Sequence, residues 1–364
     1  MTDNKDKKAL NVPALRFPEF TGEWENITIR EACSEFQSGK NIKAEMINDQ
    51  GLYPVYGGNG LRGFTGSYNH DGDYILIGRQ GALCGNVRKV TGKTYVTEHA
   101  IAVCASKEHE TTFLQHLFQK MRLGQYSDQS AQPGLAVNKL LRLNINVPSK
   151  IEQGKIAKIL SLIDERITTQ NKIIEDLKNL RSAIYQEMFG SLVAQTLKLG
   201  QVAEIVKGKQ VNGTELLEQG DYYVMNGGTL PSGWLNKYNT EANAISISEG
   251  GNSCGYVQYN TSRYWSGGHC YSLKILHPQE TSDLYLYHFL KWQEKNIMAL
   301  RIGSGLPNIQ KKDLFRFPVI LPSITQQNKI VSILSAIEEK VSCEISITQY
   351  FVKQKEYLLS QLFI

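Results

Sequence analysis

The chain has 364 residues, of which 41% are hydrophobic and 21% charged, so it is long enough for about two ordinary domains with real cores. Its formal net charge is +5 and its isoelectric point is about 8.7, a mild basic excess that is compatible with a polyanionic partner without requiring one. No apolar run approaches the roughly 20 residues that a membrane-spanning helix needs, so we expect no membrane partner.

The cellular compartment is predicted from two features of the sequence. The segment Met1–Lys8 is polar and charged with no apolar stretch behind it, so we expect no secretory signal. The cysteines are scattered without any Cys-x-x-Cys pair, which is typical of free thiols in a reducing compartment. These features predict a soluble cytoplasmic protein.

The first half of the chain carries signals for a mixed α/β domain. A glycine-rich stretch over 56–66 indicates a loop, and short apolar runs at 74–78 and 100–104 indicate strands. Residues 112–123 then show a helical pattern.

A heptad pattern follows from Ile151 to Met188. With Ile156 taken as position a and Leu160 as position d, eight of the ten a and d residues are apolar. Sustained spacing of this kind predicts a long helix with a coiled-coil seam. Pro148 stands just before it, where a missing N–H does least harm.

The second half repeats these signals in the same order. A glycine-rich loop is indicated at 226–233, strands at 244–248 and 271–275, and a helix at 283–300. The same heptad frame, moved so that Ile330 takes the place of Ile156, again puts apolar residues at seven of ten a and d positions. Two equal stripes favour pairing of the helices with each other over packing of each on its own domain. The predicted helix-pairing and subunit-docking residues are Ile156, Leu160, Ile163, Ile167, Leu177, Ile330, Leu334, Ile337, Val341 and Leu358.

Single residues recur at nearly constant spacing as well. Gly81-Ala-Leu-Cys-Gly85 returns as Gly251-Asn-Ser-Cys-Gly255, and the same offset relates His99 to His269. Between such matches the residues differ widely, so the scaffold is repeated and the surface is not.

We therefore predict an α+β protein with two similar mixed α/β domains, joined by two long helices that form an antiparallel coiled coil in a pseudo-two-fold internal repeat. The predicted boundaries are 1–149 for the first domain, 150–190 for the central helix, 191–322 for the second domain and 323–364 for the last helix.

Two features of the sequence invite a catalytic interpretation. Gly92-Lys93-Thr94 resembles the end of a phosphate-binding loop, but Val87 stands where that pattern requires glycine, so a turn before a strand explains it better. Cys84 with His99, repeated as Cys254 with His269, could form a nucleophilic pair. Burial of a small cysteine beside glycines is the simpler interpretation, and a zinc site would need four ligands where each half supplies two.

Polar and basic residues cluster around the glycine-rich stretches. Such side chains read base edges in the major groove and hold phosphates. The DNA-binding candidates are Asn59, Arg62, Arg79, Gln80, Lys93, Gln132, Lys139, Asn226, Lys237, Asn252, Arg263, Arg301, Asn308, Gln310 and Lys311, within a wider set that includes Arg88, Gln129, Glu249 and Lys312. Arg79-Gln80 and Glu249-Gly250 occupy nearly equivalent positions yet differ in charge, as two readers of different sequences would.

Several motifs in this doubled order resemble a known family. They are Leu15-Arg-Phe-Pro-Glu-Phe20 with Trp24, Phe36–Lys40 with Val206–Lys209, Asp73–Gly78 with Gly81, Leu143–Pro148 followed by Ile151–Leu160, and Phe315–Pro322 followed by Gln326–Ile330. Over nearly its whole length the chain is similar to the specificity subunits of type I restriction–modification enzymes. It departs from their pattern in a somewhat compact second half.

The resemblance implies two target-recognition domains, each of which reads one half of a split, asymmetric site in double-stranded DNA. It implies that the helices space the domains and dock the modification (methyltransferase) subunits, and that the chain also docks the restriction (motor–nuclease) subunit. It also implies that this chain is not an enzyme and holds no cofactor or metal, because S-adenosylmethionine, ATP and Mg²⁺ act in the partner subunits. The alternatives are a recognition subunit of another bipartite restriction system, a duplicated Cys–His enzyme and a coiled-coil assembly protein.

Overall fold

The computed structural model describes residues 11–128, 134–303, 305 and 307–364. In the first half the elements are β1 (Glu25–Thr28), α1 (Ile29–Ala32), β2 (Cys33–Ser38), β3 (Tyr53–Gly57), β4 (Gly60–Thr65), β5 (Asp73–Gly78), β6 (Val87–Thr91), β7 (Tyr95–Val96), β8 (Ala100–Ala105), α2 (Thr111–Met121), α3 (Val137–Leu140), β9 (Asn144–Val147) and the long helix α4 (Lys150–Gly190).

The second half repeats this order with small differences. Its elements are β10 (Gln195–Lys198), α5 (Leu199–Val202), β11 (Ala203–Lys207), β12 (Tyr222–Met225), β13 (Trp234–Leu235), β14 (Ala244–Ser248), β15 (Val257–Asn260), β16 (Trp265–Ser266), β17 (Cys270–Ile275), α6 (Asp283–Trp292), α7 (Glu294–Met298), α8 (Lys311–Phe315), β18 (Pro318–Leu321) and the long helix α9 (Ile324–Leu362).

Both halves build the same three sheets. The first half has an antiparallel sheet in the order β2-β8-β5-β6, a smaller sheet β4-β3-β7 and the pair β1-β9. The second has β11-β17-β14-β15, β13-β12-β16 and β10-β18. All four predicted strands lie within β5, β8, β14 and β17. The predicted α+β repeat is therefore confirmed.

Two element predictions were wrong. The stretch 56–66 is part of the β3–β4 hairpin, because Gly60 (φ +108°) and Gly63 (φ +143°) adopt backbone conformations inside strand β4 that other residues avoid. The predicted helix 283–300 is two helices, since Gln293 at φ −85°, ψ 5° interrupts it.

Strand β5 explains why its apolar run does not alternate. Ile75 and Ile77 face the main core beside α2, whereas Leu76 joins a second apolar cluster on the other face with Val90 and Ala102. A strand that is buried on both faces reads as a continuous apolar run.

The chain divides into two compact units that share both long helices. Unit 1 comprises Met1–Asn171 with Ser346–Ile364, and unit 2 comprises Lys172–Ile345. The predicted boundaries gave each long helix a segment of its own, whereas compactness assigns half of each helix to each unit. Each unit thus holds the start of one helix and the end of the other, running antiparallel.

The core of unit 1 is completed by the end of α9. Phe363 is buried, with its ring centroid 5.2 Å from that of Phe113 and 6.4 Å from that of Trp24. Ile156 and Leu160 from the start of α4 belong to the same core.

The core of unit 2 has the equivalent arrangement. Phe189, at the end of α4, stacks on Trp292 at 5.3 Å and meets Phe289 edge-on at 5.6 Å. Ile330 and Leu334, from the start of α9, belong to this core. Phe189 corresponds to Phe363 at the offset that relates Ile156 to Ile330, so the two halves use the same position.

The predicted helix-pairing residues all lie away from solvent. Those that are buried are Ile156, Leu160, Ile163, Ile330, Leu334 and Val341, and those that are half-buried are Ile167, Leu177, Ile337 and Leu358. Ion pairs join the two helices within each unit: Asp164 to Lys355 at 2.6 Å in unit 1, and Arg181 to Glu338 at 3.8 Å in unit 2. In unit 1 the acid lies on α4 and the base on α9, and in unit 2 the base lies on α4 and the acid on α9. An antiparallel pair of repeated helices requires this reversal.

A buried histidine adjoins each ion pair. In unit 1, His116 on α2 lies 4.0 Å from Asp164. In unit 2, His288 on α6 is hydrogen-bonded to the hydroxyl of Tyr185 at 2.9 Å and lies 3.8 Å from Glu338. Burial lowers the pKa of both imidazoles to about 4, helped by the nearby cations Lys355 and Arg181.

Because each core contains the end of one long helix, truncation of that helix end should destabilise the unit whose core it completes. We expect Phe363→Ala to destabilise unit 1 and Phe189→Ala to destabilise unit 2, each by about 3–5 kcal/mol, because truncation of a buried aromatic ring leaves a cavity. Denaturant-dependent hydrogen exchange resolved by peptide measures each unit separately. Val193→Ala, at a side chain that is 96% exposed, is the control. If Phe189→Ala weakened only unit 1, where α4 begins, this account of the cores would be wrong.

The buried histidines predict a loss of stability in mild acid. An imidazole with a pKa of about 4 when folded and 6.5 when unfolded takes up a proton on unfolding between these values. Its full contribution is present above about pH 6.5 and is lost as the pH falls towards 4, by at most roughly 3 kcal/mol per histidine.

Denaturant unfolding of His288→Gln between pH 4.5 and 7.5 measures this effect. We expect a flatter pH dependence than in the wild type, while His277→Gln, at an exposed histidine, keeps the wild-type slope. Parallel curves for the wild type and His288→Gln would show that this imidazole is not the titrating group.

Candidate nucleic-acid interface

Each unit contains an open cleft at the same place in its fold. The first cleft, of about 410 Å³, is lined by Gly57, Gly58, Asn59, Arg62, Gln80, Gly81 and His99. The second, of about 640 Å³, is lined by Asn226, Gly227, Gly228, Ser232, Gly250, Gly251, Asn252, Ser253, His269, Pro307 and Asn308. One constant offset relates the glycine pairs, Gly81 to Gly251 and His99 to His269.

Matching backbone hydrogen bonds hold the two clefts in shape. The N–H of Arg79 donates to the carbonyl of His99 at 2.9 Å, and that of Glu249 donates to His269 at 2.9 Å. Isolated bridges join Gln80 to Gly134 and Gly250 to Asn308. These bonds and bridges join backbone atoms, so this part of each frame does not depend on the side chains that line the cleft.

Close backbone approach explains the glycines in this frame. A Cβ on Gly58 would lie 2.7 Å from the carbonyl oxygen of His99. Gly227 has φ +87°, which favours glycine. The glycine-rich stretches thus bring polar neighbours to the rim without filling the cleft.

The structure brings some of the predicted DNA-binding residues together and separates others. Those that line the clefts are Asn59, Arg62 and Gln80 in unit 1, and Asn226, Asn252 and Asn308 in unit 2. Those outside the two linings are Arg79, Lys93, Lys139, Lys237, Arg263, Arg301, Gln310 and Lys311. Gln132 lies outside the described residues, as does Gln129.

Several of the candidates outside the clefts have partners within the chain. Lys139 lies 3.8 Å from Asp128, Lys237 lies 3.4 Å from Glu215, and Arg263 binds Glu241 at 2.8 Å. Lys93 stands over the ring of Tyr68 at 4.7 Å. Exposed ion pairs of this kind are weak, so these cations remain able to exchange partners.

Sequence reasoning missed Ser232 and did not count the two histidines as binding residues. His99 lies at the rim, with Nδ1 2.9 Å from Oε1 of Gln80 and Nε2 3.2 Å from Glu98. The signal that could have found His99 and His269 was their constant offset beside glycines that also recur.

The duplicated Cys–His pair is not assembled. The thiol of Cys84 donates to the carbonyl of Arg79 at 3.3 Å, and that of Cys254 donates to Glu249 at 3.0 Å. Burial raises the pKa of both thiols, which disfavours the thiolate that a nucleophile requires. The two cysteines serve as packing and hydrogen-bonding residues, as the simpler interpretation predicted.

The described part of the chain was also searched for metal sites and for membrane-spanning helices. No group of three or more His, Cys, Asp or Glu residues there is arranged to hold a metal ion. None of its helices is both long and apolar enough to cross a membrane.

Known proteins are similar to this chain both in sequence and in fold. The type I restriction modification DNA specificity domain matches this chain twice, over residues 21–179 and 194–349. The specificity subunit of the type I restriction enzyme EcoprrI from Escherichia coli is 42% identical over 165 residues, which are 44% of this chain and 40% of that subunit. Three curated relatives are each matched over only about two fifths of their own length.

Solved structures match over nearly the full chain. The crystal structure of a type I restriction–modification S subunit from M. genitalium superimposes with a TM-score of 0.75 at 21% identity, covering 97% of this chain and 99% of that one. A chain from a study of complex assembly and conformational transition of the type I R-M system gives a TM-score of 0.55 at 16% identity, covering 93% and 97%. The two structural matches show that the fold is shared. The family is shown by the specificity domain, which matches this chain twice. The chain belongs to the type I restriction–modification DNA specificity family.

Proposed function

We propose that this chain is the DNA-recognition subunit of a type I restriction–modification complex, and that each unit reads one block of an asymmetric, bipartite site. The observation that carries the proposal is the pair of clefts built on one backbone frame with different polar linings. Family membership supports DNA as the ligand, and the exposed amides and guanidinium of the linings are groups that bind base edges.

We further propose that the chain does no chemistry itself. The modification subunits would supply methylation with S-adenosylmethionine, and the restriction subunit would supply ATP- and Mg²⁺-dependent cleavage. The paired helices offer a docking place for these partners, because many of their side chains outside the seam are exposed. Exposed apolar residues among them include Leu162, Leu180, Ile333 and Tyr350.

The bipartite site predicts a specific pattern of methylation. Methylation-aware sequencing of DNA from cells that express the chain with its modification subunit should give two short, different blocks separated by a fixed run of unspecified bases. Exchange of residues 22–143 for those of a related subunit should alter one block only, because the frame of each cleft lies within one unit. A single continuous or perfectly palindromic motif, or simultaneous change of both blocks, would refute the proposal.

The docking role of the helices predicts that assembly depends on their seam. Ile163 is buried in unit 1, so Ile163→Asp would place an unpaired charge there at a cost of several kcal/mol. We expect this variant to lose co-purification with the modification subunit, while hydrogen exchange shows unit 2 still folded. Val193→Asp, at a highly exposed position outside both long helices, should co-purify normally. Undiminished co-purification of Ile163→Asp would contradict the docking role.

A further inference from the structure

The two clefts differ in charge at equivalent positions. Arg62 in the lining of the first cleft corresponds to Ser232 in the second, at the offset shared by the glycine pairs. At the same offset Arg88, whose guanidinium lies against the turn at Gly60, corresponds to Gln258. Unit 1 therefore presents one guanidinium group in its cleft lining and a second against the neighbouring turn, where unit 2 has uncharged side chains.

The guanidinium of Arg62 is available to a ligand. Its side chain is exposed on β4 and has no hydrogen bond or ion pair with any described residue. Gly57 packs closely against its stem, since a Cβ there would lie 2.8 Å from Cδ of Arg62. The aliphatic part of the side chain is thus supported by the frame while its donors remain unpaired.

The second cleft is lined by carboxamides. Asn226 is engaged, because its Oδ1 accepts a hydrogen bond from the backbone N–H of His269 at 3.1 Å. Asn252 and Asn308 are exposed, and their side-chain amides have no partner within the described part of the chain. Asn252 corresponds to Ala82 at the constant sequence offset. Asn308 corresponds to Gly134, because each forms the equivalent isolated bridge in its own half. Unit 1 therefore has no side-chain amide at either position.

We propose that the two clefts read different purines. Arg62 donates to O6 and N7 of a guanine in the block read by unit 1, a geometry that suits a guanidinium. Asn252 or Asn308 pairs with N6 and N7 of an adenine in the block read by unit 2, because a carboxamide offers one donor and one acceptor side by side. This assignment rests on the proposed function and adds the base class to each unit.

Modified duplexes test the assignment in the complete complex of this chain with its modification subunit. The methylated motif of the wild type gives the two blocks, and the exchange of residues 22–143 shows which block belongs to unit 1. Competition binding then compares the natural duplex with one that carries 7-deazaguanine in that block, or 7-deazaadenine in the other. Each analogue keeps base pairing and removes the N7 acceptor.

For the wild type we expect each analogue to weaken binding by about 5-fold or more, as loss of half of a bidentate contact should. Arg62→Ala should abolish the penalty for 7-deazaguanine and keep that for 7-deazaadenine. Asn252→Ala or Asn308→Ala should do the reverse. Arg142→Ala, at an exposed arginine outside the linings, removes the same charge and should keep both penalties.

Three results would overturn the assignment. They are a unit 1 block without guanine, a 7-deazaguanine penalty that persists in Arg62→Ala, and a 7-deazaadenine penalty that persists in both asparagine variants. Circular dichroism and co-purification show that each variant is folded and assembled. A wild-type complex without a bipartite motif would instead overturn the proposed function and this inference with it, so the two failures are distinguishable.

Discussion

Each core of this protein is completed by the end of one long helix, and in unit 1 that end comes from a separate stretch of chain. The aromatic cluster of unit 1 requires Phe363 from the end of α9, and that of unit 2 requires Phe189 from the end of α4. A buried phenyl ring contributes several kcal/mol to a fold whose net stability is about 5–15 kcal/mol. Folding of each unit is therefore tied to formation of the helix end that completes its core, and the two long helices are structural parts of both cores.

Polar clusters at the contact between α4 and α9 in each unit bear on the direction and register of helix pairing. The cluster of His116 with Asp164 and Lys355 recurs in the second unit as His288 with Glu338 and Arg181. Only the imidazoles of these clusters are buried and the acids and bases are half-buried, so a register in which acid and base did not meet would place a buried imidazole beside an unpaired charge. Apolar seams alone would tolerate slippage by a heptad. The ion pairs favour the antiparallel register observed within each unit.

With the scaffold held by buried residues, the cleft linings are free to differ. The frame of each cleft contains matching backbone hydrogen bonds in both halves, together with glycines at several equivalent positions. The second half has Ser232 at the position of Arg62 and Gly250 at the position of Gln80, and the matching backbone hydrogen bonds are present in both halves. This separation explains how one duplicated fold can present two unlike surfaces, and it is the physical basis for the proposal that the units read different bases.

The sequence alone was enough to predict the duplicated α+β plan, the two long helices and the seam residues, because periodicity and repeat spacing can be read along the chain without knowledge of its contacts. The family was predicted from the resemblance of several motifs. It also placed six cleft residues among fifteen candidates for DNA binding. It did not show that strand β4 contains its glycines, that Gln293 breaks a helix, or that His99 and His269 stand at the rims. The hairpin depends on pairing with its neighbouring strand, and the clefts form only where the loops after β3 and β5, and their counterparts in the second half, meet residues that are distant in sequence. Which cations stay free, as Arg62 does and Arg263 does not, was likewise decided by tertiary structure, since an ion pair depends on distance in space and not on composition.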